Sequence, residues 1–209
     1  ADKYLRRVLD NALSFSDSVL VLDDRSTDDT PKIAKEMGCQ VRGRSILKEP
    51  AWGHEAAARA ELYAWAVTEA KGGWVLWQDA DMILHGDPRP LCETWEASAW
   101  AFILYDLWNP EETHYRSDGF WKGHLTPRPW LARPSAFGAD FKPIWPGRGM
   151  HVGHLPSNAP LACLIAPPEQ YWWNHLAYAD PEHRKAKRAK YLAVADQLTP
   201  QEFAHAESI

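Results

Sequence analysis

The sequence predicts a three-layer α/β domain on a mostly parallel central sheet. Short apolar runs rich in β-branched or aromatic residues alternate with helical patterns through residue 84. Such alternation places parallel strands under covering helices. Two of the runs pass straight into paired carboxylates, Leu22 into Asp23-Asp24 and Trp77 into Gln78-Asp79-Ala80-Asp81. Open α/β sheets gather their ligands at the carboxyl ends of their strands.

The elements follow in order. Tyr4, Leu5, Val8, Leu9, Ala12 and Leu13 recur at helical spacing and open the chain on an amphipathic helix. Residues 18–22 form a buried strand, and Thr30-Pro31 reads as a cap followed by proline in the first turn of a helix ending at Gly38. Residues 40–42 give a second strand and 43–54 a loop. Residues 55–71, "EAAARAELYAWAVTEAK", are the strongest helix, stopped by Gly72-Gly73. Residues 74–77 form a third, buried strand. Beyond residue 85 the pattern loosens: a strand over 100–107, a proline-, glycine- and aromatic-rich stretch over 108–160, an apolar run over 161–165, a basic helix over 181–195 and a short closing helix. We read one domain over 1–209, with a ligand half (1–85) and a loop-rich half (86–209) whose loops carry specificity.

Composition narrows the partners. A net charge of −5, with no basic block, argues against a nucleic-acid surface. No apolar run approaches the ~20 residues of a membrane span. Cys39, Cys92 and Cys163 are odd in number and widely spaced, which reads as free thiols in a reducing, cytoplasmic setting. Twelve tryptophans hint at carbohydrate, since sugar faces stack on indole.

The carboxylates carry the chemistry. Asp28 and Asp29 fall at the start of a helix, whose partial positive charge accounts for them. Asp23 and Asp24 precede it and suit donors such as a pyrimidine imide or ribose hydroxyls. Asp79 and Asp81, hard oxygen ligands two apart at a strand end, suit Mg²⁺ or Mn²⁺ bridging a diphosphate. Arg25 and Arg59 are candidates for phosphate contact, and His151 and His154 form a loop pair open to a structural or a ligating role.

"VLVLDDRSTDDTPKIAKEMG" resembles the nucleotide-binding segment of family 2 glycosyltransferases, Asp-Asp-x-Ser-x-Asp-x-Thr, and "GGWVLWQDADMIL" resembles their metal-binding strand with its Asp-x-Asp motif. "WWNHLAYADPEHRKAKRAKY" is similar to the His-x-Gly-Tyr-x-x-Pro-Glu-x-Arg-x-x-Lys pattern of some members. The resemblance implies a GT-A fold that begins at the helix after the family's first strand, leaving open whether the pocket is complete and the protein active. It implies transfer of a hexosyl-type group from a nucleoside-diphosphate sugar, UDP-linked for preference, to an acceptor hydroxyl with inversion. Asp23 and Asp24 would hold base and ribose, Asp79 and Asp81 would lie at the diphosphate and metal, and His175 would complete the metal site. Met82 follows the Asp-Ala-Asp motif where relatives often carry Glu, leaving the choice of metal open. An inverting enzyme needs a base toward the acceptor; Asp118, in "YRSDGFW", is the first choice, with Asp106 and Glu112 as alternatives. A sugar-nucleotide pyrophosphorylase and a non-catalytic carbohydrate-binding protein remain as other readings.

Overall fold

The computed structural model describes residues 2–44, 55–146, 152–193 and 198–209. The chain opens on α1 (Asp2–Leu13), followed by β1 (Leu20–Asp23), α2 (Thr30–Glu36), β2 (Gln40–Gly43), α3 (Glu55–Ala70) and β3 (Val75–Leu76). Next come β4 (Met82–His85), the one-turn α4 (Arg89–Cys92), β5 (Ala99–Asp106), β6 (Arg128–Ala132) and a 3₁₀ turn at Pro134–Phe137. The chain ends on β7 (Cys163–Ile165), β8 (Trp172–His175), a 3₁₀ turn at Leu176–Tyr178, α5 (Pro181–Leu192) and α6 (Pro200–Ser208).

The expected elements form among the described residues, with boundaries shifted by up to three residues, and most of the expected 43–54 loop and the last residues of the expected 181–195 helix lie outside them; the sheet is not mostly parallel. Among the described residues β1 and β2 make a two-stranded parallel sheet, and the other six strands make a mixed sheet in the order β3-β6-β5-β8-β4, with β7 beside β5. β5 pairs in parallel with β7 and β8, whereas β3–β6, β5–β6 and β4–β8 are antiparallel. The strand–helix alternation that suggests parallel pairing stops near residue 84. The second half then supplies β6, which returns against β5, and β8, which receives β4 in reverse. The expected buried strand at 74–77 shrinks to two half-buried residues at the sheet edge.

Local sequence explains the helix boundaries. α1 buries Tyr4, Leu5, Val8 and Leu9 on one stripe, as its spacing dictates. α2 starts at Thr30 itself, with Asp29 in the cap position and Pro31 in the first turn. Asp28 accepts a hydrogen bond from the Thr30 amide at 3.0 Å. Its bonds to Thr30 hold the carboxyl down at about 2, so this acid is accounted for at the helix start. α5 is capped by Asp180, which accepts from the amides of Glu182 and His183, and α6 by a Thr199–Glu202 capping box.

The main core lies on one face of the sheet, around Met82, Leu84, Phe102, Leu104, Trp130 and Trp173. Trp65, Trp77, Trp100, Trp121, Trp130 and Trp173 are all buried, so much of the high tryptophan content serves packing. Gly86 closes the turn after β4 at φ +84°, where a Cβ would stand 2.4 Å from the Gln170 carbonyl oxygen.

Candidate functional site

Strand directions bring the chemistry to one end of the sheet. β3 and β8 both run parallel to β5; β8 ends level with β5, whereas β3 ends level with Trp100, and the chain beyond it runs on until the Asp81 carbonyl oxygen meets the Leu176 amide. β3 leads into Asp79-Ala80-Asp81, β5 ends on Asp106 and β8 ends on His175. Asp106 and His175 are register partners, and His175 is also the partner of Met82, the residue after Asp81. A tight turn closes the acidic segment, with the Met82 amide donating to the Asp79 carbonyl oxygen at 3.1 Å and the Leu176 amide donating to the Asp81 carbonyl oxygen at 2.7 Å.

Asp81 is the centre of one group. His175 Nε2 lies 3.5 Å from its Oδ1, and Lys187 Nζ, from α5, lies 3.6 Å from its Oδ2. On the far side of the imidazole, His175 Nδ1 bonds Asp106 Oδ1 at 2.7 Å. Gly123 allows the chain to pass close behind Asp106, since a Cβ there would meet the Leu104 carbonyl oxygen at 2.8 Å and Asp106 Oδ2 at 3.3 Å. Burial by itself would depress the His175 pKa, but the Asp81 charge and the bonds to Asp106 and Asp81 prevail and lift it to about 9. Burial likewise opposes ionisation of Asp81, and the His175 and Lys187 charges prevail to hold it at about 2.

Asp79 is the centre of a second group. Its Oδ1 accepts from Arg59 Nη2 at 2.8 Å and lies 3.2 Å from His154 Nε2. Arg59 also bonds Glu55, one helical turn earlier on α3, at 2.7 Å. Burial works against the Asp79 charge, yet His154 and Arg59 together hold the carboxyl well below the usual range. Burial pushes His154 down, so at neutral pH the permanent counter-charge of Asp79 is Arg59.

The other acidic pair is built differently. Asp23 accepts from the Ser26 amide at 3.2 Å, a local turn bond. Asp24 Oδ1 accepts from Arg44 Nη1 at 3.0 Å and lies 3.4 Å from Arg25 Nη2. The Arg44 side chain is 1 % exposed, and Arg25 takes the left-handed conformation at φ +60°. α3, which carries Arg59, packs against both β1 and β3, the strands that lead into the two acidic pairs.

The residue expected to act as base has local partners. Asp118 accepts from Arg116 Nε at 2.5 Å and from the amides of Phe120 and Trp121, which makes it the cap of its own turn. Burial opposes its ionisation, but those bonds prevail and lower its pKa, contrary to what a proton acceptor needs. Glu112 makes a two-pronged pair with Arg7 of α1, and Asp106 is committed to His175. His151 lies outside the described residues. The residues that sequence reasoning missed are Arg44, Lys187 and Glu55, each a charged partner of a residue it did name. Lys187 had a signal, since it falls on the final Lys of the C-terminal pattern; Arg44 had none.

Among the described residues no group of three or more His, Cys, Asp or Glu side chains is arranged to hold a metal ion unaided. No helix among them is long and apolar enough to cross a membrane.

Two uncharacterized mycobacterial proteins, one from Mycobacterium bovis and one from Mycobacterium tuberculosis, are each 34 % identical to this chain over 90 residues. The match covers 42 % of this chain and 22 % of each relative, so it spans only about a fifth of their length. The family model described as glycosyl transferase family 2 matches residues 1–137, which takes in α1 through the 3₁₀ turn after β6, with both acidic pairs and Asp106. The chain belongs to glycosyl transferase family 2.

Proposed function

We propose that this chain transfers a sugar from a nucleoside-diphosphate donor, UDP-linked for preference, to an acceptor hydroxyl with inversion, and that it does so with Mn²⁺ or Mg²⁺ at the Asp79–Asp81 end of the sheet. The observation that carries this reading is the arrangement around Asp81. An ionised carboxylate faces an imidazole nitrogen whose partner nitrogen is tied to a buried carboxylate. Carboxylate–imidazole–ligand geometry of this kind fixes ring orientation and strengthens the facing nitrogen as a donor.

The side chains fit a divalent cation that is shared with its substrate. Asp81 and His175 Nε2, the latter after release of its proton, are the two that would hold it, and diphosphate oxygens and water would fill its other positions. Asp79 is the lesser contributor, because its Oδ1 is already bonded by Arg59 and His154. When bound, such an ion neutralises charge on the leaving diphosphate.

The chain's own groups do the rest. Asp23 and Asp24 accept hydrogen bonds from base and ribose, with Arg44 fixing the Asp24 carboxylate. Arg59 holds Asp79 in place from α3. Asp106 holds the His175 ring so that Nε2 faces Asp81.

The test is donor hydrolysis and nucleotide binding by this protein, with and without Mn²⁺. A thermal-shift panel of UDP, GDP, CDP and TDP and their sugars should give a metal-dependent rise in melting temperature with at least one donor. No shift with any of them, together with no donor hydrolysis, sinks the proposal.

A further inference from the structure

The proposed donor chemistry uses Asp79, Asp81 and His175, and leaves Lys187 unexplained. Its side chain is only 15 % exposed, an unusual state for an ammonium. It pairs by charge with Asp81 Oδ2 at 3.6 Å, beyond good hydrogen-bonding distance, and its three donors find no closer acceptor among the described residues. The position is built rather than accidental. The Lys187 ammonium lies 4.6 Å from the centre of the Tyr178 ring, which is buried. The helix that carries it is fixed at its start by the Asp180 cap and the Lys3–Asp180 ion pair. It is fixed one turn later by Arg184, which donates to the Trp108 carbonyl oxygen at 2.6 Å and to that of Tyr178.

A helix held this firmly keeps a cation over a carboxylate that the proposed metal would also take. A divalent cation on Asp81 would add to the positive charge that His175 and Lys187 already bring to that carboxylate, and an anion bound beside it would offset the repulsion. With such an ion on Asp81 the ammonium would be held there less tightly, and the diphosphate of the proposed donor would be the nearest anion for it. Lysine is a strongly hydrated, rotatable point charge, suited to moving a short distance from carboxylate to phosphate.

We infer that Lys187 is a donor-binding residue: it rests on Asp81 in the free protein and turns to the diphosphate of the nucleotide when a divalent cation takes that carboxylate. This rests on the function proposed above and adds a residue to it. The inference predicts a selectivity that a structural counter-ion would lack, because the Lys187 contribution depends on the diphosphate and not on the nucleoside.

The experiment is calorimetry of the wild type and Lys187→Gln with UDP and with uridine, each in Mn²⁺, after the nucleotide panel has shown which diphosphate binds; the matching pair replaces UDP and uridine if another base is preferred. The expected result is a loss of about tenfold or more in diphosphate affinity, the order set by a hydrogen bond between charged groups, with nucleoside affinity unchanged. Lys187→Met keeps an apolar stem of similar length over Tyr178 and serves if the Gln variant melts early; it should show the same selective loss. Equal diphosphate affinity in variant and wild type overturns the inference alone, and so does an equal fold loss for diphosphate and nucleoside. A wild-type protein that binds none of the nucleoside diphosphates overturns the proposed function and this inference together.

Discussion

Replacing Asp106 by Asn changes one buried atom and removes one charge. In the wild type the His175 pKa stands at about 9 against an ordinary 6.5, with Asp81 and Asp106 outweighing burial. At about 1.4 kcal/mol per pKa unit, that rise corresponds to roughly 3 kcal/mol of preference for the imidazolium, shared between the two carboxylates. Asn can still accept from Nδ1–H, so the bond survives and only its charge assistance is lost, a difference of about 1 kcal/mol. The Asp106→Asn midpoint should therefore fall by about one unit.

The assay is an NMR titration of the histidine ring signals in protein freed of divalent ions, with His175→Gln to assign the resonance. Stability should follow the same linkage. A group whose pKa is raised by folding stabilises fully below its unfolded value near 6.5, and that stability is lost as pH rises through about 9. The melting temperature should thus decline between those values in the wild type, and over a lower, narrower window in Asp106→Asn. A wild-type His175 that titrates near 6.5, or a midpoint that Asp106→Asn leaves unmoved, refutes the reasoning.

Three further outcomes follow from the geometry. Asp81→Asn should abolish the Mn²⁺-dependent thermal shift by the donor while far-UV circular dichroism stays as in the wild type; a retained shift would remove Asp81 from the metal site. Gly86→Ala forces a Cβ to 2.4 Å from the Gln170 carbonyl oxygen at a φ of +84° and should lower stability by about 1–3 kcal/mol in urea unfolding. Asp180→Ala removes the acceptor of the Glu182 and His183 amides and should cost about 1 kcal/mol in the same assay, with Asp180→Ser recovering most of it.

What the sequence made legible was local. An apolar run followed at once by carboxylates can be read within one window, and in the structure Asp23 ends β1 while Asp79 and Asp81 lie in the turn between β3 and β4. Helix starts and stops were legible for the same reason, since caps, prolines and glycines act on their neighbours. The sheet's mixed character was not, because β4–β8 and β5–β6 pairing joins segments that no short pattern relates. The partners of the acids were hidden likewise: Arg44 reaches Asp24 across 20 positions, His154 reaches Asp79 across 75, and Asp106 reaches His175 across 69. The local bonds of Asp118 were not legible either, because a glycine and aromatics beside an acid suit a sugar-facing loop and a capped turn equally well.

The register of three strands links core packing to site chemistry. Leu104 pairs with Trp173, and Trp173 with Leu84; two residues further along, Asp106 pairs with His175, and His175 with Met82. Side chains two apart share a face, so His175 and Asp106 are the last residues of the face whose earlier members, Trp173 and Leu104, fill the main core. A one-residue slip of β8 would take Trp173 out of the core and turn His175 to the other face. Burying a tryptophan removes ~150–250 Å² from water, worth roughly 4–6 kcal/mol at about 25 cal/mol per Å². Trp173 is fully buried, and even after the roughly 1–3 kcal/mol cost of its unpartnered indole N–H its packing is comparable to or larger than the hydrogen bond between Asp106 and His175. Apolar packing therefore sets the placement of the imidazole beside Asp81, and the polar contacts refine it.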